Sequence, residues 1–227
     1  MSTISQDRAG NDFASRTLAE LATTLPGATA LFRKEKLDFC CGGQVSLGEA
    51  AAARNIDLAG LTAQLKALAE AAEPAKMPQD TDSLIAMIET RYHAIHRQEL
   101  PELIRLARRV EAVHRDAEGV PRGLADLLEL MADELDAHMQ KEERVLFPMM
   151  RQGGGPMISH PIATMSAEHN DHAEHLRSLE ALTNDFTPPA HACNSWRALY
   201  VGTQKLANDL AEHIHTENNI LFPRFAS

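Results

Sequence analysis

Apolar residues recur along this chain every three to four positions, and no segment alternates in the period-two manner of a strand. The pattern therefore predicts helices throughout. Near the N-terminus, Thr17-Leu18-Ala19-Glu20-Leu21 starts a helix that stops at Pro26-Gly27, and a second short helix fits Ala28 to Lys36. Asp38-Phe39-Cys40-Cys41-Gly42-Gly43 reads as a loop. Ser46 with Glu49 has the spacing of a capping box, in which hydroxyl and carboxylate reciprocally satisfy free backbone N–H groups. Asp57 can cap a further helix carrying Leu58, Leu61, Leu65 and Leu68 on one face. Pro74 and Pro78, in a short polar stretch, mark a linker. Four long helical patterns follow: Asp82 to Asp116 with a kink or break expected at Pro101, Arg122 to Met150, Ile162 to Asn184, and Ser195 to Phe222. Gly119 with Pro121, Gly153-Gly154-Gly155-Pro156 and Pro188-Pro189 end the first three. The expectation is an all-α protein: a small helical domain over residues 1–76, then an antiparallel four-helix bundle over 77–227.

Composition narrows the function. The chain has 227 residues, 44% apolar and 24% charged, with a net charge of −10. An acidic chain with one Trp and two Tyr is a poor candidate for binding nucleic acid through phosphates or base stacking. No apolar run approaches the ~20 residues of a membrane span. The polar N-terminus lacks the apolar stretch of a signal peptide, and three cysteines make no disulfide framework, so a cytoplasmic protein is expected. All eleven histidines lie beyond residue 91, which makes the two halves of the chain chemically unlike.

The histidines belong to a repeat. His138-x3-Glu142-x3-Leu146-Phe147-Pro148 recurs as His213-x3-Glu217-x3-Leu221-Phe222-Pro223, displaced by 75 residues. His93-x-x-His96 recurs as His169-x-x-His172, displaced by 76. The bundle is an internal duplication of a helix pair. His and Glu four residues apart share a helical face. On the fourth helix that face is the apolar stripe of Leu206, Leu210, Ile214 and Leu221, with His215 on the opposite side; on the second it is that of Met131, Leu135 and Leu146. An inward, unpaired carboxylate is costly. Two symmetric His–Glu pairs pointing inward call for a cation, and imidazole with carboxylate suits iron, zinc or manganese. His93 and His96 lie at the edge of their stripe, and His169 and His172 both lie on theirs; periodicity does not choose within either pair. One His from each helix would give four His and two Glu, too many ligands for one structural zinc and suited to two metals bridged by carboxylates.

These motifs resemble the hemerythrin-like domain. Together with the Asp38–Gly43 loop, Arg91-Tyr92-His93 and Ser166-Ala167-Glu168-His169, they resemble the iron–sulfur cluster repair di-iron proteins of the YtfE/ScdA type. The resemblance runs over nearly the whole chain past residue 13. It implies iron ligands at His93, His138, Glu142, His169, His213 and Glu217, which selects His93 over His96 and His169 over His172. It implies two non-haem irons bridged by Glu142 and Glu217, with an oxo or hydroxo bridge. The implied function is restoration of iron–sulfur clusters damaged by nitrosative or oxidative stress, with damaged cluster proteins as clients, nitric oxide or oxygen as small ligands, and a homodimer as one possible assembly. Iron donation and nitric oxide or oxygen chemistry are both compatible with it, as a repair protein, an enzyme or a sensor.

Four further residues are candidates for chemistry. Glu134, one turn before His138, and Glu168, beside His169, could support ligands or carry protons; a solvated helix face explains them equally well. Cys40 and Cys41, beside two glycines that leave the sulfurs reachable, could pass ferrous iron or sense oxidants; packing around Phe39 is the plainer role. Cys193 reads as structural, and His114, His160, His175, His191 and His215 read as surface or capping residues.

Overall fold

The computed structural model describes residues 13–71 and 77–225. Of the linker, Met77 and Pro78 are described, while Pro74 and its neighbours over 72–76 lie outside the described residues. Every regular element among the described residues is helical; the one β-bridge is the isolated Thr17–Ser46 pair. The chain divides into two compact units. One joins the described part of Met1–Pro78 with Ile214–Arg224, and the other comprises Gln79–His213 with Phe225.

The first unit begins with α1 (Leu18–Thr24) and α2 (Ala28–Lys34). The Thr17 hydroxyl accepts from the Glu20 N–H at 3.1 Å and starts α1. Helix α3 (Leu47–Ala53) opens with the expected capping box, Ser46 Oγ accepting from the Glu49 N–H while Glu49 accepts from the Ser46 N–H. Helix α4 (Leu58–Ala71) buries Leu61 and Leu65. Leu18, Leu21, Phe32, Phe39 and Leu47 fill the middle of the unit. The loop after Phe39 doubles back so tightly that a Cβ on Gly43 would lie 2.3 Å from the Phe39 carbonyl oxygen, so only glycine fits there.

The second unit holds the bundle as far as His213. Its first rod is α5 (Thr81–Ile88), a π-helical turn over Glu89–His93, and α6 (Ala94–Val113). The helix runs through Pro101 without the expected break. Pro101 is exposed, so water can reach the backbone carbonyl that its missing N–H leaves unserved. The second rod is α7 (Leu124–Lys141), a π turn over Glu142–Leu146, and α8 (Phe147–Arg151). Gly153, Gly154 and Gly155 follow, all at φ near +90°, a conformation open to glycine and strained for any other residue. The third rod is α9 (Ser159–Leu182). The fourth is α10 (Asn194–Thr216), which continues through a π turn over Glu217–Leu221. Leu84, Ile88, Leu128, Leu135, Leu179 and Leu206 turn inward and are buried. Each such side chain contributes about 1.5–3 kcal/mol relative to exposure. Gly202 lets the first and fourth rods approach closely, since a Cβ there would stand 2.6 Å from Leu103 Cδ2.

Candidate metal centre

Each of the three π turns carries one of the expected ligands. His93 ends the first, Glu142 begins the second, and Glu217 begins the third. In each, an N–H reaches back five residues, from Ala94 to Glu89, Phe147 to Glu142 and Phe222 to Glu217. The wide turn takes in one extra residue and shifts the helical phase, a device common at functional sites. The repeat explains two of the three. Pro148 and Pro223 have no N–H to offer the preceding turn and crowd the carbonyl four residues back, which favours a wider turn just before them.

His93, His138, Glu142, His169, His213 and Glu217 are all buried. They converge as two quartets, His93–Glu142–His213–Glu217 and His138–Glu142–His169–Glu217, each with its ligand atoms within 4.8 Å of one another. Nε2 of His93 lies 3.1 Å from Nε2 of His213, and Nε2 of His138 lies 3.2 Å from Nε2 of His169. Glu142 Oε2 stands between the quartets, 3.4 Å from His93 Nε2 and 3.5 Å from His138 Nε2. Glu217 enters both quartets from the helix that carries His213, one turn further on.

Carboxylates set the tautomers. His93 Nδ1 is 2.8 Å from Glu143 Oε1, and that oxygen also accepts from Arg97 at 2.6 Å. His138 Nδ1 is 2.9 Å from Glu168 Oε2, and Glu168 also accepts from Lys141 at 2.6 Å. An imidazole that gives its Nδ1 hydrogen to a carboxylate presents a bare lone pair at Nε2. Here those lone pairs point inward, at a second imidazole and a buried carboxylate. Buried nitrogen and oxygen donors facing one another at such distances suit a divalent transition ion. The donor set therefore fits a metal.

The other histidine of each duplicated pair is also buried, yet stands outside both quartets. His96 packs its ring 5.4 Å from that of His213, and neither of its nitrogens has a hydrogen-bond partner. Burial, then the neighbouring His213, pushes its pKa well below the ordinary value and keeps it neutral. His172 lies edge-on to His138 at 5.1 Å.

Several expectations need correction. His215 does face away from the quartets, but it is buried within the first unit, where Nδ1 lies 3.3 Å from the Phe39 carbonyl oxygen and Nε2 lies 3.2 Å from Thr23 Oγ1. Burial lowers its pKa to about 4. Cys40 is not the reachable thiol that its glycine neighbours imply, because it is 8% exposed and faces Cys41 Sγ at 3.9 Å and Asp38 Oδ1 at 3.5 Å. The hydrogen bond with Cys41, burial and the nearby Asp38 charge raise its pKa well above the usual thiol value. Cys41 is half-buried, and Asn218 and Asn219 hold this loop by donating to the Cys40 carbonyl at 3.2 and 3.1 Å. Cys193, expected to be structural, is exposed, with its sulfur 3.2 Å from His114 Nε2. His175, expected at the surface, is mostly buried against Glu134. Sequence reasoning also missed Glu143 and Arg97. The duplication gives no hint of Glu143, since its counterpart in the second copy is Asn218.

Comparison with known proteins agrees with a cation-binding bundle. Residues 84–225 match the hemerythrin HHE cation binding domain, and residues 14–69 match a Domain of Unknown function (DUF542). The iron-sulfur cluster repair protein YtfE of Edwardsiella ictaluri is 48% identical over 214 residues, 93% of this chain and 97% of that protein. The protein of the same name from Cronobacter sakazakii is 49% identical over 215 residues, 93% of this chain and 96% of that one. That of Yersinia pseudotuberculosis is 47% identical over 215 residues, 94% and 97%. No helix among the described residues is long and apolar enough to cross a membrane. A cation-binding bundle joined to a second matched domain, at near-half identity over nearly the full length of these relatives, means that this chain belongs to the hemerythrin HHE cation-binding family, in the branch of the iron–sulfur cluster repair proteins YtfE.

Proposed function

We propose that this chain restores iron–sulfur clusters damaged by nitrosative or oxidative stress in the cytoplasm, working from a di-iron centre in its bundle. The observation that carries the reading is the overlap of the two quartets: each supplies two imidazoles of its own, and both share Glu142 and Glu217. On this reading His93 and His213 would hold one iron and His138 and His169 the other, with Glu142 and Glu217 available to both. When bound, the iron pair supplies redox chemistry, positions for nitric oxide or oxygen, and iron itself for donation to a damaged cluster. The protein's part is orientation. Glu143 and Glu168 fix the His93 and His138 tautomers, and burial of all six side chains keeps bulk water from the donors. Residues 77–227 would then serve as the iron domain and residues 1–76 as a small domain carrying the cysteine loop, with which the segment Ile214–Arg224 groups.

Iron hand-over is favoured over gas chemistry alone by a further cluster. Asp38, Cys40 and Cys41 bring an oxygen and two sulfurs within 4.8 Å of one another; half-buried Cys41 is the sulfur open to ferrous iron in transit, and buried Cys40 joins it only where the metal displaces its proton. The test has two readouts. Metal analysis with Mössbauer spectroscopy should find two antiferromagnetically coupled irons per chain, and the iron-loaded protein should restore activity to a dehydratase whose cluster has been nitrosylated. A single tightly held zinc from iron-replete cells would overturn the centre. An intact di-iron protein that leaves the damaged enzyme inactive would overturn the repair role.

A further inference from the structure

The duplication allows one half of the bundle to be compared with the other at matching positions outside the two quartets. In one half, Glu99, Asp209 and the Lys205 ammonium form a compact cluster on the flank of His96 and His213. Lys205 Nζ lies 2.7 and 2.9 Å from the two Glu99 oxygens and 2.7 Å from Asp209 Oδ2. Arg91 adds a second cation, 2.9 Å from Asp209 Oδ1. The positions 75 or 76 residues away in the other half carry His175 for Glu99, Glu134 for Asp209, Leu130 for Lys205 and Ala167 for Arg91. One carboxylate is kept and the other becomes an imidazole, while both cationic side chains are replaced by apolar ones.

We infer that Glu134, His172 and His175 form a third metal site, which takes a divalent first-row transition ion where the other half uses the Lys205 ammonium. The ligand atoms of the three residues lie within 4.8 Å of one another. His172 and His175 are one turn apart on α9, so both imidazoles share a face, and Glu134 reaches them from α7. His175 Nδ1 is buried and has no hydrogen-bond partner; it stands 3.5 Å from Glu134 Oε2, facing it without a bond. A buried ring nitrogen opposite a carboxylate at that separation is the arrangement that an ion between them would satisfy. The three residues line an open cleft of about 510 Å³ that is also lined by Glu168, Asp171 and Glu174. Lys141, which lines it too, is committed to Glu168 at 2.6 Å. The cleft is thus negative and open to solvent, and it supplies three ligands where a closed structural site has four, leaving a position for water. Two imidazoles and one carboxylate select zinc, cobalt or ferrous iron over calcium or magnesium. The site shares no residue with the quartets, although His172 packs edge-on to the His138 ring at 5.1 Å.

The full-length protein, with its two-metal set filled and its iron content recorded, is titrated with cobalt(II). Bound cobalt is read by equilibrium dialysis and by the visible d–d bands of a nitrogen- and oxygen-ligated ion. The wild type should take up one further equivalent per chain with no loss of iron. The His175→Leu variant should bind that equivalent at least about tenfold more weakly, a loss that even an outer partner of a metal ligand produces. Leu130→Lys should do the same by a different route, placing an ammonium one turn before Glu134 as Lys205 lies one turn before Asp209. Leu130 is 46% exposed, so this second variant folds whether or not the first does. Exposed His191, changed to Leu, serves as the control and should leave cobalt uptake unchanged. No further equivalent in the wild type, or one that persists in both variants, overturns the inference.

Discussion

Changing Glu143 to Gln removes one negative charge and almost no volume, and it separates metal holding from fold stability. Glu143 Oε1 accepts from both His93 and Arg97, while Oε2 accepts from Arg97 Nη2 at 3.2 Å. Burial opposes the charge on this carboxyl, but Arg97 and His93 outweigh it and hold its pKa below the usual value. In the variant the amide oxygen can serve His93 or Arg97, and the amide NH2 then confronts a second donor. His93 loses its charged partner, so its Nε2 becomes a weaker and less firmly aimed donor. Partners of this kind are worth about 10–100-fold in metal affinity, or about 1.4–2.7 kcal/mol. The ion pair with Arg97 is a smaller matter. The two side chains are 28% and 36% exposed, and pairs open to solvent contribute about 0.2–1 kcal/mol. Metal-loaded protein is therefore challenged with a graded chelator, and the metal-free chain is unfolded in urea. The chelator midpoint should fall by one to two orders of magnitude for the metal that His93 holds, while the unfolding free energy falls by less than about 1 kcal/mol. Glu168→Gln should act likewise through His138. An unchanged chelator midpoint would refute the reasoning, as would a stability loss as large as the loss of metal affinity.

Two other outcomes are expected. Asp209, 8% exposed, has a lowered pKa because Arg91 and Lys205 outweigh the burial that works against its charge. A depressed folded pKa adds stability that is fully present above the unfolded value of about 3.9 and is lost as pH falls below it. The gap in unfolding free energy between the metal-free wild type and Asp209→Asn should therefore shrink as pH drops from about 6 to about 3; a gap that stays constant with pH would show that the ion pairs do not couple to folding. Among the cysteines, iodoacetamide at neutral pH should modify exposed Cys193 first and buried Cys40 last, at least about tenfold slower, because only the thiolate reacts. Peptide mass spectrometry reads the order, and equal rates at the two sites would contradict the burial of Cys40.

Local pattern by itself determined the helices, the capping box at Ser46, the duplication, and the kinds of side chain that face the bundle axis. These depend on spacing along one helix, and a 3.6-residue period is visible in any single stretch of chain. The choice within each His pair was not legible in that way. His93 and His96 both end up buried, as do His169 and His172, and only the convergence of four rods shows that His93 and His169 meet the shared carboxylates while the other two stand aside. The π turns add to this, since one extra residue in a turn moves every later side chain out of the phase that a uniform helix predicts. The surroundings of each residue were set by the tertiary structure. His215 points away from the quartets as its spacing requires, yet it is buried beside Phe39 and Thr23, 176 and 192 residues earlier, and burial keeps it neutral although the Phe39 carbonyl favours its charge. Cys40, flanked by glycines, is closed off by contacts with Asp38, Cys41 and Asn218. Glu143 supports His93 from fifty residues away. Helical phase is a property of neighbours in sequence. Burial, tautomer and the pairing of charge are properties of neighbours in space, and they are settled only when separate helices come together.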